Sequence, residues 1–234
     1  MAINVETLKT RSLTAVVFVA VMLAGLLWNQ WSFIALFTIV HFGCWYEFVK
    51  LMKKIYGKQY LKYCFFGLIY ITMPVIMLFN LSLEYQIRTA GPPPFETFTY
   101  TFIIPCGIIF SIWINDTMAY IVGSLIGKTP FSKISPKKTW EGTAGGAVLC
   151  VTVIGLLAYF IPIAKQIAIQ HWIAIAAICA IFGTAGDLLE SKIKRMANVK
   201  DSGSIMPGHG GFLDRFDSLL VAVPFVWLYV KLFI

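Results

Sequence analysis

Apolar residues in this chain gather into long blocks separated by short charged gaps. The blocks cover 13–28, 31–49, 63–81, 98–127, 142–163, 167–187 and 212–234. Each approaches or reaches the roughly 20 residues that a helix needs to cross a hydrocarbon core. They predict an all-α fold, a polytopic integral membrane helical bundle of about seven transmembrane spans. The dyad alternation of a transmembrane barrel is absent. The first block ends at Trp28-Asn29-Gln30-Trp31 without a convincing small-residue cleavage site, which favours a retained helical hairpin over a cleaved leader. Pro74 predicts a kink in the third block, and Gly91-Pro92-Pro93-Pro94 a stiff, extended connector. The fourth block is irregular. It runs through Ile114, meets Asn115-Asp116 and resumes before Lys128. That is too long for one straight crossing, so a tilted, broken or partly cytoplasmic segment is expected. Two regions follow: 1–97 as N-terminal scaffold helices, and 98–234 as the region that holds the irregular block and the charged motifs read below as catalytic.

Composition agrees with this pattern. A mean hydropathy of +0.78 and only 13% charged residues exclude a soluble domain, where about a quarter of residues are charged. The net charge of +8 raises nucleic acid as a partner, but the placement of the charge argues against it. With the N-terminus in the cytoplasm, all of the 19 Lys and Arg except Arg88, Lys165 and Lys231 fall on the cytoplasmic side, as the positive-inside rule requires. Some of that charge is available to lipid headgroups or a polyphosphate. The five cysteines lie inside apolar blocks and form no C-x-x-C pair, so they read as buried hydrophobes rather than disulfide or metal partners.

The chemistry concentrates in GDLLESKIKRMANVKDSGSIMPGHGGFLDRFDS, residues 186–218. Asp116, Asp187 and Asp214 lie in or beside apolar helices, where an ionisable group is costly and by default marks a functional site. Asp214 and Asp217 are three residues apart, on one helical face. Carboxylates at neighbouring helix ends suit Mg²⁺, which takes one or two of them together with substrate phosphates. Structural ion pairs with Arg195 or Arg215 explain the same residues equally well. Lys192, Lys194, Arg195 and Arg215 serve topology, or neutralise phosphate charge. Gly208, Gly210 and Gly211 either end a loop or bring backbone N–H groups to phosphate oxygens before a helix. His209 is a phosphate donor or acid/base on one reading and a structural hydrogen-bonder on the other. The loop Ser135-Pro136-Lys137-Lys138-Thr139-Trp140-Glu141-Gly142 offers two lysines and hydroxyls to a triphosphate or lipid phosphate, with Thr139 a candidate helix cap. Gly123/Gly127 and Gly142/Gly146 predict close helix packing.

The run SKIKRMANVKDSGSIMPGHGGFLDRFD resembles the signature of the CDP-diacylglycerol synthases (phosphatidate cytidylyltransferases): Ser, Lys-Arg, Lys-Asp, Pro-x-His-Gly-Gly and Asp-Arg-x-Asp. Asn115-Asp116-Thr117, Gly127-Lys128, Ser135-Pro136-Lys137-Lys138-Thr139, Glu141, Gly145-Gly146, Gly186-Asp187 and Glu190-Ser191 are similar to that family too. The likeness covers roughly residue 114 to the C-terminus, and the N-terminal part looks short for the family. The resemblance implies a Mg²⁺-dependent conversion of CTP and phosphatidate to CDP-diacylglycerol and pyrophosphate. It implies metal binding by Asp187 and Asp214 with Asp217, a monovalent cation such as K⁺ beside Mg²⁺, and catalytic roles for Lys194, Arg195 and Arg215. It also implies substrate contacts from Asn115, Asp116, Ser135, Lys137, Lys138, Glu141, Ser191, Lys200, Asp201, His209, Gly210 and Gly211. A homodimer in a bacterial inner membrane, with the active site facing the cytoplasm and a lateral opening for acyl chains, completes the expectation.

Two rivals share features with this reading. A CDP-archaeol synthase or polyprenol kinase-like enzyme carries parts of the motif, though the intact Lys-Asp and Pro-x-His-Gly-Gly elements favour the diacylglycerol enzyme. An ion-coupled transporter would use the buried acids, but needs paired broken helices, and the chain shows no internal repeat.

Overall fold

The computed structural model describes residues 5–88, 95–132, 134–205 and 210–234, with backbone alone at 5–11, 84–88 and 95–99. The Gly91-Pro92-Pro93-Pro94 connector, Lys133, Gly208 and His209 lie outside the described residues. The chain forms a bundle of helices: α1 (Val5–Leu27), α2 (Gln30–Tyr56), α3 (Tyr60–Cys64), α4 (Met73–Ser82), α5 (Ile103–Ile126), α6 (Trp140–Phe160), α7 (Ile169–Met196) and α8 (Leu213–Phe233). One element departs from the all-α expectation. Strands β1 (Leu83–Arg88) and β2 (Phe95–Tyr100) pair antiparallel, Leu83 opposite Tyr100 and Arg88 opposite Phe95. Part of the fourth apolar block is thus drawn into a hairpin, where β-branched and aromatic residues such as Phe98, Thr99 and Tyr100 are at home.

Among the described residues, five helical segments are long and apolar enough to cross a membrane, and shorter apolar helices cover Ser12–Leu27 and Leu68–Ser82. These seven coincide with the seven apolar blocks. The protein is an integral membrane protein, and its surface agrees with that. Trp28 and Trp31 are 80% and 70% exposed around the turn where Asn29 Oδ1 caps α2 by accepting from Trp31 N and Ser32 N at 2.8 and 2.9 Å. Exposed indoles beside a helix turn suit the membrane–water interface.

Two irregular spans take definite form. α5 runs unbroken through Asn115-Asp116, because the preceding residues enter β2 and leave a helix of 24 residues, a single crossing at 1.5 Å per residue. In the third block the distortion takes the form of a π-helical turn over Leu68–Thr72 that continues directly into α4. Pro74 lacks the N–H whose helical acceptor would be the carbonyl of Tyr70, inside that turn. There Thr72 Oγ1 takes the Trp45 indole N–H at 2.9 Å and lies 3.0 Å from His41 Nε2. A Cβ on Gly67 would collide with the Trp45 ring, so a small residue is needed where this polar cluster ties the turn to α2.

The glycine pairs do pack helices closely. A Cβ on Gly142 would lie 2.8 Å from Ala119 O and Gly123 Cα, and one on Gly146 2.7–2.8 Å from the backbone and Cβ of Ala119. α5 and α6 therefore touch backbone to backbone, and Thr139 caps α6 by accepting from Gly142 N at 3.1 Å. These small-residue faces thus meet each other inside the chain. A Cβ on Gly186 would meet the backbone of Asp217 and Ser218, so α7 and α8 approach just as closely beside Asp187. All five cysteines are free thiols, Cys44, Cys106, Cys150 and Cys179 buried.

Candidate active site

Close contact of α5 with α6 and of α7 with α8 gathers charged residues at one end of the bundle, around one cavity of ≈ 870 Å³. Asp116 and Asn115 come from α5, Lys137 and Lys138 from the loop before α6, Asp187 and Lys194 from α7, and Asp214, Arg215 and Asp217 from α8. Ser135, Lys200, Asp201 and Gly210 complete the expected residues on its wall. Residues up to 103 apart in sequence thus share one polar space, and a volume of this order suits a nucleotide.

The carboxylates are bonded to differing extents. Asp214 is committed: Lys194 Nζ donates to Oδ1 at 2.6 Å, while Ser202 N and Gly211 N donate to Oδ2 at 2.8 and 2.7 Å. Lys194 also pairs with Glu190, one turn earlier on α7. Asp187 pairs with Lys138 and accepts from Ser191 Oγ at 3.2 Å. Asp217, 8% exposed, accepts from Ser218 N at 2.6 Å through Oδ1. Asp116, Asp187 and Asp217 stand close enough to repel one another.

The carboxylates expected to bind metal differ in how many donors they meet. Among the described residues no three His, Cys, Asp or Glu side chains converge into a metal cage. Asp214, expected beside Asp187, already has both oxygens met by donors. Asp187 meets one donor on each oxygen and Asp217 accepts through Oδ1, fewer bonds than Asp214 makes, and on the same cavity wall the buried Asn115 Oδ1 has no hydrogen-bond partner. An all-oxygen set of two carboxylates and an orphaned amide carbonyl fits Mg²⁺, a hard cation that fills its remaining positions with water and phosphate.

Four expected contacts lie elsewhere. Arg195 lies off the cavity wall, at the C-terminal end of α7, and donates to Val199 O at 3.3 Å. Glu141 turns to the α5–α6 connection and accepts from Thr129 N, Thr129 Oγ1 and Lys128 N at 2.8–3.2 Å. Ser191 reaches the site only through Asp187. Gly211 offers no N–H to a phosphate, because Asp214 takes it; Phe212 N and Leu213 N are likewise taken by Glu47 at 2.9 Å each. The expected phosphate cradle at this helix start is therefore filled by the protein's own carboxylates. His209 lies outside the described residues. Gly210, at φ +85°, holds a left-handed conformation that favours glycine.

Sequence reasoning missed Glu47, Ser202, Thr184 and Ser218. Glu47 was detectable, since it is an acid inside the second apolar block, the same signal that singled out Asp116 and Asp187. The hydroxyl residues carried no signal of their own.

Comparison with known proteins agrees with the geometry. Residues 57–233 match the model of the cytidylyltransferase family. A phosphatidate cytidylyltransferase of Rickettsia felis is 32% identical over 96% of this chain and 92% of its own length. One from Bacillus subtilis is 45% identical over 52% of this chain, and a chloroplastic one from Arabidopsis thaliana is 43% identical over 54%. Those two matches span only 45% and 30% of the relatives' own lengths.

Proposed function

The chain belongs to the cytidylyltransferase family, and on that premise we propose that it is a phosphatidate cytidylyltransferase of a bacterial inner membrane, turning CTP and phosphatidate into CDP-diacylglycerol and pyrophosphate. The observation that carries this reading is the cavity in which Lys137, Lys138, Lys194, Lys200 and Arg215 face Asp116, Asp187 and Asp217. Such alternation of charge suits two phosphate-bearing substrates and a cation.

A phosphatidate oxygen attacks the α-phosphorus of CTP. The new P–O bond forms as the bond to the bridging oxygen of the β-phosphate breaks, and pyrophosphate leaves with the electron pair. The nucleophile is already an anion, so positioning and charge neutralisation carry the catalysis. Lys138, held by Asp187, and Lys194, held by Glu190 and Asp214, present ammonium groups whose places are set before substrate arrives. Mg²⁺, held by Asp187 and Asp217 with the Asn115 carbonyl, would neutralise polyphosphate charge; a monovalent cation beside it follows from the family resemblance alone. Arg215 lines both this cavity and a crevice formed by Thr14, Ala15, Phe18 and Val19 of α1 with Trp113 and Thr117 of α5. That crevice supports a lateral route for a lipid headgroup. Placing the lysine-rich end in the cytoplasm, with the N-terminus, follows the positive-inside rule and sets the cavity where CTP is. The homodimer rests on the resemblance, and light scattering of the detergent-solubilised protein measures it.

The test is conversion of radiolabelled CTP to lipid by purified protein with phosphatidate and Mg²⁺, beside Asp217→Asn. Label in a CDP-lipid, with the variant needing far more Mg²⁺, is the expected result. Label transferred instead to a polyprenol would move the protein to the kinase class. No lipid product of either kind sinks the enzymatic reading.

A further inference from the structure

One buried acid takes no part in the chemistry above. Glu47 belongs to α2, in the N-terminal helices read as scaffold, and is 3% exposed. Its carboxylate nevertheless reaches the signature segment. Ser202 Oγ lies 2.6 Å from Oε2, Phe212 N donates to Oε1 at 2.9 Å and Leu213 N to Oε2 at 2.9 Å. The approach is prepared from both sides. A Cβ on Gly203 or on Gly211 would run into the Glu47 carboxylate, so the chain entering and the chain leaving the loop both close on it without side chains. One turn back on α2, a Cβ on Gly43 would strike the Phe212 ring, so the same helix face receives the residue that starts α8.

What Glu47 holds is the frame of the cavity. Ser202 also bonds Asp214 through its backbone N–H, and its hydroxyl lies 2.9 Å from Asp214 Oδ2. Because a hydroxyl has one proton, it serves one carboxylate at a time, and Ser202 couples the two acids. Gly203, Ser204 and Gly210 of the clamped loop line the cavity wall, next to Asp214 and Arg215. A carboxylate at the start of α8 also complements the unpaired N–H groups there.

We propose that Glu47 is a positioning residue for cytidylyl transfer, fastening Ser202 to the Phe212–Leu213 start of α8 so that Lys194, Asp214 and Arg215 keep their places. The proposal rests on the function proposed above. Gln at this position fills the same space but offers one acceptor oxygen where two now serve three donors.

The test measures steady-state kinetics and hydrogen exchange on purified full-length protein in detergent. In Glu47→Gln, kcat per folded molecule should fall about 10–100-fold with KM for CTP and phosphatidate within about threefold of wild type, as for lost positioning. Exchange at Phe212 and Leu213 should speed up. A loss of thermal stability with unchanged kcat would mean a purely structural role and overturn the proposal. Should the variant not fold, Ser202→Ala removes one of the three bonds; a severalfold lower kcat supports the clamp, and a wild-type kcat overturns it. If wild-type protein makes no CDP-lipid, the function reading fails by itself, and exchange still judges Glu47: unchanged protection at Phe212 and Leu213 in Glu47→Gln rejects the clamp.

Discussion

Replacing Lys194 by Met takes the counterion from two acids at once. Lys194 Nζ pairs with Glu190 and lies 2.6 Å from Asp214 Oδ1, and the three side chains are 13%, 1% and 8% exposed. Asp214 keeps the N–H groups of Ser202 and Gly211. Glu190 keeps nothing, since neither of its oxygens accepts any other hydrogen bond. Breaking a buried pair by removing one partner costs about 3–5 kcal/mol. At roughly 2–4 °C per kcal/mol for a chain of this size, the unfolding midpoint should drop by about 6–20 °C. The buried thiols of Cys44, Cys106, Cys150 and Cys179 provide the assay, because a thiol-reactive fluorophore reports their exposure as the protein is heated in detergent. A companion variant, Lys194→Met with Glu190→Leu, removes the stranded charge and should recover most of the midpoint. It should not recover activity, because the cavity still lacks its fixed ammonium group. A midpoint for Lys194→Met within a degree or two of wild type would refute the reasoning, showing that Glu190 finds water or another partner.

Lys138→Met separates function from stability in the opposite sense. Its pair with Asp187 is 26% and 30% exposed, so the midpoint should move by no more than about 1 kcal/mol equivalent, while the loss of a positioned cation should lower kcat by about 10²–10³-fold; equal activity would remove Lys138 from the mechanism. Gly146→Val should destabilise by about 1–3 kcal/mol or more through overpacking, because the new side chain meets the Ala119 backbone. It should also lower activity by displacing Asp116, one turn away on α5, and thermal unfolding alongside turnover measures both.

Much of the fold was legible because hydropathy is a local property. The seven apolar blocks, the Thr139 cap and the glycine faces of α5 and α6 each follow from residues a few positions apart. Tertiary contact decided the rest of the helix detail. The fourth block reads as one overlong span, but Phe98–Tyr100 pairs with Leu83–Tyr85, and no pattern within that block announces the partner. The disturbance expected at Pro74 takes the form of a π-helical turn over Leu68–Thr72, and the Trp45 ring from α2 that packs on Gly67 beside it is a partner the block itself does not announce.

The candidate site divides in the same way. The sequence by itself determined which residue types gather near the signature segment, that they sit at one end of apolar helices, and that the charge asymmetry puts them on a common side. These are matters of order along the chain. Only the tertiary structure decided how many donors each carboxylate meets. Asp187, Asp214 and Asp217 look equivalent in the sequence, yet Asp214 is consumed by Lys194, Ser202 and Gly211. Glu47 reaches partners 155, 165 and 166 residues away. A hydrogen bond depends on where two groups meet in space, and over such separations the meeting point is set by the packing of α2 against the start of α8.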